Sequence, residues 1–100
     1  YNYIDNWNGI IEYYKKNNLY DMYKGELEYC YLRYIYGTFI KQSAKYQKSD
    51  YKIAVNEAIK NVMKYFPNYR KNKYFYKNLK GIYLLLFSKN ISKIIYLIYH

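Results

Sequence analysis

Histidine, cysteine and paired carboxylates carry most proton transfer, nucleophilic attack and metal binding, and this sequence holds few of them. His100 is the single histidine, which excludes a multi-histidine metal site; a frayed end, or the edge of a purification tag, is its expected state. Cys30 is the single cysteine, so no internal disulfide can form, and a small buried hydrophobe beside Tyr31 is the expected role. Glu26 and Glu28 are two positions apart and point to different faces of a helix, so they are read as solvated charges, not as an acid–base pair. Gly9, Gly25, Gly37 and Gly81 are isolated, and none builds a phosphate-binding loop. The expectation is a chain with no catalytic residues, no metal site and no cofactor of its own.

Binding is better represented. Formal net charge is +10, and all seven acids lie within the first 57 residues. From residue 58 onward there are nine basic residues and no acid, a field suited to anionic lipid, phosphate or nucleic acid. The densest run places Arg70, Lys71, Lys73, Lys77 and Lys80 among Tyr74, Phe75 and Tyr76. The cations are candidates for an anionic surface or phosphate, and the three rings are candidates for a membrane interface. The competing reading is a solvated helix start with Phe75 in the core. Nucleic acid is disfavoured, because only two of the 17 basic residues are Arg, the side chain suited to bidentate phosphate contacts. The 19 tyrosines, 15 lysines, 12 isoleucines and 11 asparagines are all read from A/T-rich codons, so drift is one source of the bias.

The elements that would position these residues read as helices. Asp5 is expected to cap a first helix with Trp7, Ile11 and Tyr14 on one face, and Asn17-Asn18 to stop it. Tyr23, Leu27, Tyr31, Tyr34 and Thr38 form one stripe of a second helix, within which Gly37 is expected to mark a close crossing. Ser49 or Asp50 caps a third, carrying Val55, Ile59, Val62, Met63 and Phe66, and Pro67 ends it. A fourth is expected from near Asn72 with Phe75, Leu79, Ile82 and Leu86, and Asn90 caps a last one with Ile91, Ile94, Ile95 and Ile98. Hairpin turn signals of the Asn-Gly or Asp-Gly type are absent. The fold class is all-α, one small bundle of four to five helices in a single domain. Apolar runs at residues 82–87 and 91–99 are too short and too interrupted to span a bilayer.

Three local patterns, IIEYYKKNNLY (residues 10–20), ELEYCYLRY (26–34) and KYFPNYRKNKY (64–74), resemble the helical region that follows the catalytic domain in bacterial family 2 glycosyltransferases. The resemblance implies a C-terminal accessory domain over residues 1–100, a piece of a larger protein whose catalytic domain lies upstream. It implies a role in polysaccharide or cell-surface glycan synthesis through acceptor placement, membrane proximity or assembly. The parent would use a nucleotide-sugar and a divalent metal, neither held by this segment. Its expected partners are its own upstream domain, an anionic membrane surface and a second copy, with a cytoplasmic location peripheral to the inner face of the membrane. The alternative is a small basic helical module that binds protein or nucleic acid.

Overall fold

The computed structural model describes residues 2–100, with side chains from Ile4 onward. Helix α1 is Asn2–Lys16, and Ile11 is buried on it between the half-buried Trp7 and Tyr14. Asp5 lies inside its first turn instead of capping it, an acidic side chain favourably placed near the positive end of the helix dipole. The helix stops where Asn18 takes φ 59°, a left-handed conformation that Asn tolerates better than most residues.

Helix α2 (Tyr20–Leu32) continues through a π-helical segment, Arg33–Phe39, into a last α-turn, Ile40–Ser43. That segment changes which residues face inward. Along this rod the buried apolar side chains are Leu27, Tyr31 and Leu32, Ile35 and Tyr36, Phe39 and Ile40, then Ala44. They advance by four residues per turn, as the wider i to i+5 bonding of a π-helix requires. The expected stripe assumed a uniform 3.6-residue period, and it fails at both ends: Tyr23 and Thr38 are exposed. Gly37 is buried, yet among the described residues no atom beyond its own helical turn lies within 4 Å of where a Cβ would stand, so it marks no close crossing. Cys30 is exposed, one position off the buried pair Tyr31 and Leu32.

Helix α3 (Lys48–Tyr65) begins after an extended Gln47, one to two residues before the expected caps Ser49 and Asp50. Val55, Val62 and Phe66 are buried on its inner face, Ile59 is partly so, and Met63 is exposed. Pro67 follows Phe66, whose φ of −139° and ψ of 59° end the helix by the steric rule for residues before proline. Two 3₁₀ turns, Tyr69–Lys71 and Lys73–Tyr76, occupy the stretch where a helix from Asn72 was expected. Helix α4 (Leu79–Leu86) starts only at Asn78, whose side chain accepts from the Gly81 N–H at 2.8 Å. Its neighbour α5 (Lys89–Ile98) is capped by Ser88, not Asn90, the Ser88 Oγ accepting from the Ile91 N–H. Among the described residues there is no strand, and the all-α bundle of five helices is the observed architecture.

Aromatic side chains hold the layers together. Tyr31, from α2, meets Phe66 at 5.2 Å between ring centroids and Trp7 of α1 at 6.4 Å. Its hydroxyl donates to Asn8 Oδ1 at 2.6 Å, the Asn8 amide donates to Asn61 Oδ1 at 2.9 Å, and Asn61 donates to the Glu57 carbonyl. This relay ties α1, α2 and α3 with every buried partner satisfied, which is what makes interior polar groups tolerable. Tyr36 stacks on Phe87 at 4.4 Å, and its carbonyl accepts from the Tyr83 hydroxyl at 3.0 Å, bringing α4 onto the π segment. His100 is held too: its Nε2 donates to the Ala44 carbonyl at 2.6 Å and its ring stacks on Tyr96 at 4.1 Å. The frayed terminus expected there is not what forms.

The bundle measures 43 × 29 × 16 Å, a flattened slab. A slab has too little interior for every apolar side chain. Leu79 (88% exposed), Leu86 (64%), Leu97 (72%) and Ile98 (74%) therefore stand in solvent, although periodicity had placed three of them with the core. Leu79, Leu86 and Ile98 are those three, and the half-exposed Ile94 makes a fourth departure. Among the described residues no single helix is long and apolar enough to cross a membrane; α4 and α5 reach the length only together, bent by 118°.

Candidate functional site

Asn72 organises the basic run. Its Nδ2 donates to the Gly25 carbonyl and to Glu28 Oε1, both at 2.9 Å, while its Oδ1 accepts from the Tyr74 N–H at 2.9 Å. One amide thus clamps the 3₁₀ turns onto α2. The Tyr74 ring lies over Gly25, where a Cβ would come within 3.2 Å of it, and the Tyr74 hydroxyl donates to Glu26 Oε1 at 3.3 Å. The Tyr76 hydroxyl donates to the Arg70 carbonyl at 2.9 Å and closes the second turn on the first.

The five predicted cations, Arg70, Lys71, Lys73, Lys77 and Lys80, are all exposed along this stretch. Lys77 stands over the Tyr74 ring at 4.8 Å and Arg70 over Tyr69 at 4.8 Å, both cation–π distances. Tyr74 and Tyr76 are exposed. Phe75 is not: it is fully buried against Tyr29 (5.2 Å) and Tyr69 (5.9 Å), so this ring is removed from the membrane-interface candidates. A 3₁₀ turn brings residues three apart onto one side, and Asn72 and Phe75 face the bundle together, while Tyr76 faces out and Tyr74 lies along α2 with one side open to solvent.

Glu28 also departs from expectation. It is buried, and periodicity missed it because the partner that makes burial tolerable, Asn72, is 44 residues away. Burial pushes its carboxyl above the usual range; the Asn72 hydrogen bond and Lys24 draw it partly back. A value raised in the folded chain means that folding favours the protonated acid. The contribution to stability is therefore full below the ordinary value of 4.5 and is lost as pH rises through the raised one. Glu28→Gln keeps an oxygen for Asn72 and removes the charge. Its urea midpoint is expected above that of the parent at pH 7, with the gap closing below pH 4.5. Equal midpoints at both pH values would show that the carboxylate is not strained by its burial.

Among the described residues no group of three or more His, Cys, Asp or Glu side chains converges as a metal ligand set, and Glu26 and Glu28 are engaged by different partners. What the surface offers is charge and apolar area together: cations on the 3₁₀ turns, then Leu79, Lys80 and Leu86 on α4, then Lys89, Lys93, Leu97 and Ile98 on α5, every one exposed. Comparison with family models, curated proteins and solved structures finds no match to this chain.

Proposed function

We propose that this chain is a helical accessory domain of a glycosyltransferase making polysaccharide or cell-surface glycan, and that it holds the enzyme against an anionic membrane surface. The observation that carries the membrane role is the composition of the exposed C-terminal surface. Leu79, Leu86, Leu97 and Ile98 present large apolar side chains to solvent, interspersed with lysines and with no carboxylate after residue 57. Interfacial helices combine these two features: apolar side chains enter the headgroup boundary while cations meet anionic lipid. Tyr74 and Tyr76, exposed beside Lys73 and Lys77, supply rings suited to headgroup depth. The transferase assignment rests on the three sequence patterns at residues 10–20, 26–34 and 64–74.

Flotation with anionic and neutral vesicles tests the membrane role. Binding to anionic vesicles at low salt is expected, weakening as salt screens the surface. Replacing Lys73, Lys77 and Lys80 together by Glu removes three attractive contacts of ~1 kcal/mol each and so weakens binding roughly 100-fold or more. All three are exposed, so the fold should persist by circular dichroism. Equal recovery with neutral vesicles, or no recovery with anionic ones, would end the proposal. The transferase role stands or falls separately on the polypeptide encoded upstream in the same frame: an α/β domain with an Asp-x-Asp motif supports it, and an unrelated domain removes it.

A further inference from the structure

A second basic surface lies between α3 and α5, and none of the five cations of residues 70–80 lines it. The Tyr51 hydroxyl donates to the Ser92 carbonyl at 2.6 Å, the Tyr51 and Tyr96 rings meet at 5.1 Å, and His100 reaches Ala44. Later residues of α5 thus meet earlier residues around α3, and the two helices run antiparallel. This pairing leaves a groove of about 500 Å³ between them, within the range of small-molecule sites. Lys48 and Lys52 from α3 and Lys89 and Lys93 from α5 line it, over a floor that includes Val55 and Tyr96, with Leu97 on the rim. No carboxylate lines the groove; Asp50 borders a separate depression at the start of α3.

We propose that this groove binds a monomeric long-chain alkyl phosphate, its phosphate monoester among the lysines and its aliphatic chain along the apolar floor. Four ammonium groups brought together without a counter-charge repel one another, and an anion bound between them relieves that repulsion. A phosphate monoester carries close to two negative charges at pH 7 and three acceptor oxygens, so it matches several lysines better than a monocarboxylate does. Lysine acts here as a point charge on a flexible stem, which suits a head group without fixed geometry. The floor explains the other half of the ligand. Leu97 is 72% exposed on the rim, and an aliphatic chain laid over it removes apolar surface from water. An inorganic anion leaves that area wet, and a neutral amphiphile leaves the lysines unanswered.

Calorimetric titration of the full chain with decyl phosphate, kept below its micelle threshold, tests this. The comparison ligands are inorganic phosphate, decyl maltoside and decanoate. Decyl phosphate is expected to bind at least about tenfold more tightly than each of the three. Lys52→Gln with Lys93→Gln should weaken it roughly tenfold or more, the loss of charge-assisted contacts, and Leu97→Gln should weaken it several-fold. Lys60→Gln with Lys64→Gln, on the same helix but outside the groove, should leave it unchanged. Inorganic phosphate or decyl maltoside binding as tightly as decyl phosphate would overturn the proposal. So would an equal loss in the Lys60/Lys64 variant, which would report overall charge alone. The groove shares Lys89, Lys93 and Leu97 with the proposed membrane surface but none of Lys73, Lys77 and Lys80. A Lys73/Lys77/Lys80 variant that loses vesicles while keeping decyl phosphate therefore separates failure of one proposal from failure of the other.

Discussion

Gly81→Ala is expected to destabilise the chain by about 3 kcal/mol, a large part of what holds a domain of this size together. Built on the observed backbone, an alanine Cβ would stand 2.7 Å from the Phe75 carbonyl carbon and 2.8 Å from its Cα, with the carbonyl oxygen closer still. Real Cβ atoms do not approach backbone so closely, so something must move, and each side of the contact is fixed. Phe75 is fully buried against Tyr29 and Tyr69. Gly81 is held by its N–H bond to the Asn78 cap, so moving it uncaps α4. The glycine is required for close approach, not for an unusual dihedral, since its φ is not positive. Gly9→Ala is the internal control. Among the described residues nothing beyond its own helical turn lies within 4 Å of its Cβ position in α1, and alanine there should gain up to about 1 kcal/mol from helix propensity. Urea unfolding at unchanged m-value reads both substitutions. If Gly81→Ala shifted the midpoint no more than Gly9→Ala does, the packing of α4 on the 3₁₀ turns would be wrong.

What a single sequence reveals depends on how local the deciding chemistry is. Asn17-Asn18 and Pro67 ended helices where expected because their effect is written in their own backbone preferences. Ile11, Val55, Val62 and Phe66 were found because uniform helical spacing holds in α1 and α3. The π segment was not legible: nothing in Arg33–Phe39 marks the wider turn, yet it decides that Tyr36 and Phe39 face inward while Thr38 does not. In α4 and α5 two-thirds of the positions are apolar or aromatic, so period alone does not choose a buried face; the choice falls to Leu84 and Ile95, with Phe87 just past α4, which meet the bundle. The candidate site divides in the same way. Its cations are clustered within eleven residues and so are legible in the sequence. Asn72, which holds them, and the pairing of Lys48 and Lys52 with Lys89 and Lys93 depend on contacts some 40 positions apart, invisible until the fold is known.

The tyrosine-rich interior makes the fold sensitive to alkali. Burial pushes the hydroxyl of Tyr51 up to about 12 and that of Tyr83 up to about 12, and pushes Tyr31 and Tyr36 higher still. A value raised in the folded chain places the stabilising contribution below the unfolded value of 10.0, and the contribution is lost as pH climbs through the raised one. Above pH 10 each of these hydroxyls ionises readily only in the unfolded chain, withdrawing about 1.4 kcal/mol per pH unit. By pH 11 the four together remove about 5 kcal/mol, comparable with the whole stability of a small domain. The expected result is one cooperative transition near pH 11, in which tyrosinate absorbance rises as helical ellipticity falls. Tyr31→Phe separates this effect from packing. It keeps the ring against Phe66 and loses the bond to Asn8, costing about 1 kcal/mol at pH 7. It also removes one ionising hydroxyl, so the deficit should vanish or reverse by pH 11 and the transition should move to higher pH. Tyrosinate forming gradually while ellipticity stays constant would show instead that water reaches these hydroxyls in the folded chain.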